Sequence, residues 1–210
     1  MTLTDSGPRG PEYGPARLKR LVFNLLYPAV LGTFFVSLLP AAVGSLRSGF
    51  HLKTVLCILI VSHFVIDYLF SEEVRDYRAF TFLLDVAVIV LLYLAYSAVQ
   101  LGNDDPTDSR AVSLAMAGVY GCFLVWEYLQ RNEIGTHPAL TVYESIAAVW
   151  FLVAGLLWPG ADVLLAIGLA AATLAMVIVC GAVLQSYHGG TARADGKEAP
   201  AVNPADGAED

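Results

Sequence analysis

The chain has 210 residues, 57% of them hydrophobic and only 15% charged, with a formal net charge of −7 and a mean hydropathy of +0.63. A soluble domain of this size carries about 25% charged residues, so the composition excludes a soluble globule, a disordered chain and a disulfide-built secreted module. It also offers no basic stripe to neutralise phosphates, which excludes nucleic acid as a partner.

In chain order, residues 1–20 form an N-terminal tail that ends in Arg17, Lys19 and Arg20, placed to meet anionic headgroups. The apolar run from Leu21 to Leu46 that follows is longer than the roughly 7–15 residues of a signal-peptide core, so it reads as a span that is retained. A helix needs about 20 apolar residues to cross a bilayer. Six such segments are predicted, over 21–45, 53–71, 79–100, 111–130, 139–158 and 162–186. Each must be a helix, because an isolated segment in lipid can satisfy its backbone only internally.

The connections are short and rich in turn residues, such as Gly102-Asn103-Asp104-Asp105-Pro106 and Trp158-Pro159-Gly160. Residues 21–188 thus form one transmembrane domain, and 189–210 read as a disordered acidic C-terminal tail. The fold class is all-α, a polytopic bundle of six transmembrane helices.

Lysines and arginines orient the bundle. With the N-terminus in the cytoplasm, that side holds Arg9, Arg17, Lys19, Arg20, Arg75, Arg78, Arg131, Arg193 and Lys197, against Arg47, Lys53 and Arg110 opposite. Nine against three predicts both termini in the cytoplasm. The nine-to-three excess of arginine over lysine and the heavy use of alanine hint at a GC-rich bacterial genome, and hence at a multi-pass protein of the inner (plasma) membrane.

Four acids fall within the spans: Asp67, Asp85, Glu127 and Glu144. An ionised side chain in a bilayer costs several kcal/mol, so each needs a reason. At about 1.5 Å per residue, Asp67 and Glu127 lie roughly one turn inside the cytoplasmic ends of their helices, and Asp85 and Glu144 lie roughly 7–9 Å inside theirs. All four are therefore expected in the cytoplasmic half, with Asn24, Tyr27, Tyr68, Tyr128 and Tyr143 as candidate lining residues of a cavity there. The extracellular half is expected to be much barer. A structural reading stands beside this one, in which Arg75, Arg78 and Arg131 pair with acids in a belt near the interface.

His63 lies four residues before Asp67, on the same helix face. The spacing predicts a hydrogen bond between them, able to serve as a proton relay or, more weakly, as two ligands for a cation. Cys57, Cys122 and Cys180 are far apart in apolar runs and read as reduced, apolar-like side chains. The last span, uncharged and rich in glycine and alanine, reads as a packing or lipid-facing helix.

An offset of sixty residues aligns Asp67-Tyr68-Leu69 with Glu127-Tyr128-Leu129, Glu73 with Glu133 and Thr81 with Thr141. It predicts that spans two and three are repeated, in parallel orientation, by spans four and five.

No P-loop, HExxH or GxSxG sequence, no arginine-rich sensor helix and no channel-filter sequence occurs. The acids then point first to a small transporter or channel coupled to a cation or a proton, with Asp85 and Glu144 as binding groups and Asp67, Glu127 and His63 supporting access. The alternatives are a membrane scaffold or regulatory subunit acting with a protein partner or a second copy of itself, and a metal-dependent enzyme acting on a lipid or isoprenoid. No cofactor is identifiable beyond a cation at the carboxylate cluster.

Overall fold

The computed structural model describes residues 15–48, 51–72, 79–99, 106–130 and 138–195. The described residues are helical, with no strand among them. α1 (Pro15–Leu21) passes through a π-helical turn (Val22–Leu26) into α2 (Tyr27–Ser48). α3 (Leu52–Glu72), α4 (Ala79–Ala98), α5 (Ser109–Gln130), α6 (Pro138–Leu157) and α7 (Asp162–Asp195) follow. Six helical stretches are long and apolar enough to cross a membrane: Arg17–Gly44, Leu52–Leu69, Ala79–Ala98, Ser109–Leu129, Pro138–Leu157 and Asp162–Val183. They agree with the six expected segments, and the chain is accordingly a multi-pass membrane protein.

The π turn has a local cause. Pro28 has no N–H to donate, and its ring crowds the carbonyl one turn earlier. The helix widens there, and the Tyr27 N–H reaches back five residues to the Val22 carbonyl. The extra residue rotates the helix face: Val22, Phe23 and Tyr27 are buried, and Asn24 and Leu25 face outward.

α5 sits between α4 and α6, α3 packs on α2 and α7, and α7 closes against α6. Small residues set the closest approaches, as expected where lipid gives helices no hydrophobic drive to associate. A Cβ at Gly155 of α6 would lie 3.1 Å from the Leu114 side chain of α5. Asp108 caps α5, accepting the Ala111 N–H at 3.0 Å. Gly160, with φ +91°, turns the chain from α6 into α7 and donates its N–H to Ser109 Oγ at 2.7 Å. At 34 residues α7 is about 51 Å long, well beyond a roughly 30 Å hydrocarbon layer. Its helix continues through 189–195, past the span that hydropathy marks.

Large apolar side chains such as Val36, Leu83, Ile146, Val163 and Ile178 cover the outside of the bundle. In water this would be an aggregation hazard; in a bilayer it is the lipid-facing surface.

Candidate functional site

Antiparallel helices bring the acids to one level. Asp67 is near the end of α3, Asp85 near the start of α4, Glu127 near the end of α5 and Glu144 near the start of α6. All four are buried, at 5%, 7%, 5% and 4% exposure. Asp67, Asp85 and Glu144 line a single pocket with Trp126 and Tyr143, closed on its far side by Met176 and Cys180 of α7. Its empty volume is about 530 Å³, counting the open mouth. Glu127 reaches the same centre from outside the lining, in side-chain contact with Glu144.

The contact between Glu127 and Glu144 is chemically unusual. Thr141 Oγ1 donates to Glu127 Oε1 at 2.6 Å, yet the second oxygen of each glutamate is buried without a hydrogen-bond partner. The charges that act on Glu144 are those of Glu127 and Asp67, both of its own sign. Two ionised carboxylates cannot hydrogen-bond each other, and a buried unpaired charge is expensive. One proton held between the two relieves both costs, as in other close carboxyl pairs.

Asp67 is held differently. Tyr27 Oη donates to Asp67 Oδ2 at 2.5 Å, and the Tyr27 ring stacks on Phe23 and leans on Phe64 and Tyr68. The π turn presents Tyr27 to that carboxylate. Tyr27→Phe keeps the ring packing and removes the donor. It is expected to cost about 1–3 kcal/mol, read as a lower denaturation midpoint in detergent.

The expected His63–Asp67 bond is not made. His63 turns instead to α5 and α7: Nε2 lies 2.7 Å from Tyr120 Oη and Nδ1 lies 2.9 Å from Thr173 Oγ1 and 3.1 Å from the Leu59 carbonyl. The reason is rotameric: a side chain at i need not reach i+4 when partners on neighbouring helices are better placed. Tyr120 Oη is in turn 2.7 Å from Tyr143 Oη, which donates to the Ala172 carbonyl at 2.9 Å.

Among the candidate lining residues, Tyr143 lines the pocket, Tyr27 binds Asp67 and Tyr68 packs on Phe23 and Tyr27. Two face elsewhere. Tyr128 is 73% exposed, and Asn24 is on the outer face of the π turn. Arg75, Arg78 and Arg131, the expected belt, lie outside the described residues.

Sequence reasoning missed Tyr120 and Thr173, and it gave α7 no part in the site. The signal was present as spacing. Tyr120 precedes Glu127 by seven residues, two helical turns, and Thr173, Met176 and Cys180 follow an i, i+3, i+7 pattern. The three cysteines are free, as expected, and Cys122 and Cys180 line the pocket.

The opposite half is less bare than anticipated. Ser37 Oγ lies 2.6 Å from Tyr96 Oη, with Cys57 beside them. Phe34 and Phe64, both fully buried with ring centres 5.3 Å apart, separate this small cluster from the Tyr27–Asp67 pair.

Among the described residues, no group of three His, Cys, Asp or Glu side chains is arranged to hold a metal ion. The chain matches no protein-family model, no curated protein and no solved structure.

Proposed function

We propose that the protein is a small transporter or channel that couples proton movement to a cation, with the four carboxylates as its exchange site. The observation that carries this reading is the Glu127–Glu144 contact, with a partnerless buried oxygen on each side and only like charges, those of Glu127 and Asp67, acting on Glu144 among the described residues. Such a pair is costly as a structural device and well suited to taking up and releasing a proton. Trp126 and Phe123 beside the acids add aromatic faces, which suit a positively charged solute.

In this reading the acidic end faces the cytoplasm, with both termini there, following the nine-to-three excess of basic residues. The Phe34–Phe64 contact is the dry barrier between this end and the Ser37–Tyr96 cluster.

The test is proton flux into proteoliposomes that hold a trapped pH dye, with sodium, potassium or small quaternary ammonium ions supplied outside. At least one cation is expected to dissipate an imposed pH gradient faster than in protein-free vesicles, and Glu144→Gln is expected to abolish the difference. If no cation and no gradient separates the protein from empty vesicles, the transport reading fails and a regulatory partner protein becomes the object of search.

A further inference from the structure

The hydrogen bonds of His63 extend beyond the acidic pocket, although their use in transport rests on the function proposed above. Thr173 commits its only hydroxyl proton to the Leu169 carbonyl at 2.7 Å. Its oxygen can therefore only accept from His63 Nδ1, and so can the Leu59 carbonyl at 3.1 Å. Nδ1 must then carry a hydrogen in every protonation state. Nε2 is left to accept from Tyr120 when the ring is neutral and to donate to it when the ring is charged.

The two states differ along the whole chain. With neutral His63, Tyr120 donates to Nε2, and Tyr143 has one proton for two acceptors, Tyr120 Oη and the Ala172 carbonyl. With protonated His63, Nε2 donates to Tyr120, Tyr120 to Tyr143, and Tyr143 to Ala172, so every contact is satisfied at once. Tyr143 also lines the acidic pocket, and Glu144 is close enough to act electrostatically on both tyrosines.

We propose that Tyr143 and Tyr120 form a proton wire from the carboxylate pocket to His63, a buried acceptor deeper in the bundle. A proton released by a carboxylic acid of the pocket, which is left as its carboxylate, adds to Tyr143 Oη as the Tyr143 hydroxyl proton passes to Tyr120 Oη. The Tyr120 proton in turn moves to His63 Nε2. One proton is transferred, each tyrosine is neutral before and after, and His63 becomes the imidazolium. The groups that face His63 are Tyr120 from α5, Thr173 from α7 and, through Tyr120, Tyr143 from α6; Asp67 lies one turn away on its own helix. No charged side chain touches the ring among the described residues. The side-chain groups that reach the ring are the neutral hydroxyls of Tyr120 and Thr173.

The test follows His63 itself. The protein is labelled with 15N-histidine and placed in bilayers, and the His63 resonance is assigned by its loss in His63→Gln. Imidazole protonation is then followed from neutral pH down through the acidic range, and its exchange rate is compared with those of Tyr120→Phe and Tyr143→Phe. Both variants keep their rings, and Tyr120 retains its stacking on Phe151. His63 is expected to titrate in the native protein and to exchange at least about tenfold more slowly in both variants. Unchanged exchange in either variant, or a His63 that never protonates, overturns the wire. This readout does not depend on flux: native proteoliposomes that conduct nothing while the variants slow His63 exchange would sink the transport reading and leave the wire standing.

Discussion

Glu144→Gln is expected to abolish proton-coupled flux and, in the same protein, to raise the melting temperature in detergent at alkaline pH. The two effects share one cause. In the native chain the Glu127 and Glu144 side chains face each other with Oε2 of each unpartnered. A glutamine amide at 144 donates to Glu127 at any pH, whereas the native pair keeps its hydrogen bond only while it holds the shared proton, so a gain of about 1 kcal/mol is read once alkaline pH has removed that proton. The amide cannot take up and release a proton, so a step that relies on this group falls by about a hundredfold or more. A structural carboxylate would behave in the opposite way, with stability lost and flux, if present, retained. Gain of stability with loss of activity is the mark of a strained functional site. A variant that melts lower and still conducts contradicts the assignment.

Gly168→Ala is expected to give the largest stability loss among alanine substitutions at the described glycines. A Cβ at this position would overlap Trp150 Nε1, and the indole is a rigid ring that can yield only by moving as a whole. Overpacking of this kind costs about 1–3 kcal/mol, and it falls on the contact that seats α7 against α6. Because α7 brings Thr173 to His63 and Met176 and Cys180 to the pocket, the loss reaches the site. The decisive form is a double-mutant cycle by thermal denaturation. Trp150→Leu should remove most of the penalty of Gly168→Ala, giving a coupling well above the sum of independent effects. Additive behaviour would show that the clash is absorbed elsewhere.

The positions of the spans and the common level of the acids were legible in the sequence for a simple reason. Apolar length gives each helix, and antiparallel succession then assigns a depth to every residue without any knowledge of packing. Asp67, Asp85, Glu127 and Glu144 could be placed at one end on that ground alone. Rotation about each helix axis was not legible in the same way. Tyr128, next to a buried glutamate, points outward, and Asn24 does so because the π turn caused by Pro28 shifts the helix face. The same shift turns Tyr27 inward to Asp67. The sixty-residue offset pairs Asp67 with Glu127, both buried, but it also pairs the packed Tyr68 with the exposed Tyr128. His63 shows a further limit: its helical neighbour Asp67 was the local candidate, and its partners came from helices 57 and 110 residues away in the chain.

Glu127 and Glu144, on adjacent helices, are proposed to hold one proton between them inside the membrane. The infrared spectrum of the protein in hydrated bilayers at neutral pH tests it most directly, through the C=O stretch of a protonated carboxylic acid. Such a band is expected, shifted by deuterium oxide, present in the native protein and lost in both Glu127→Gln and Glu144→Gln. A spectrum without that band, or a band that survives both substitutions, would contradict it.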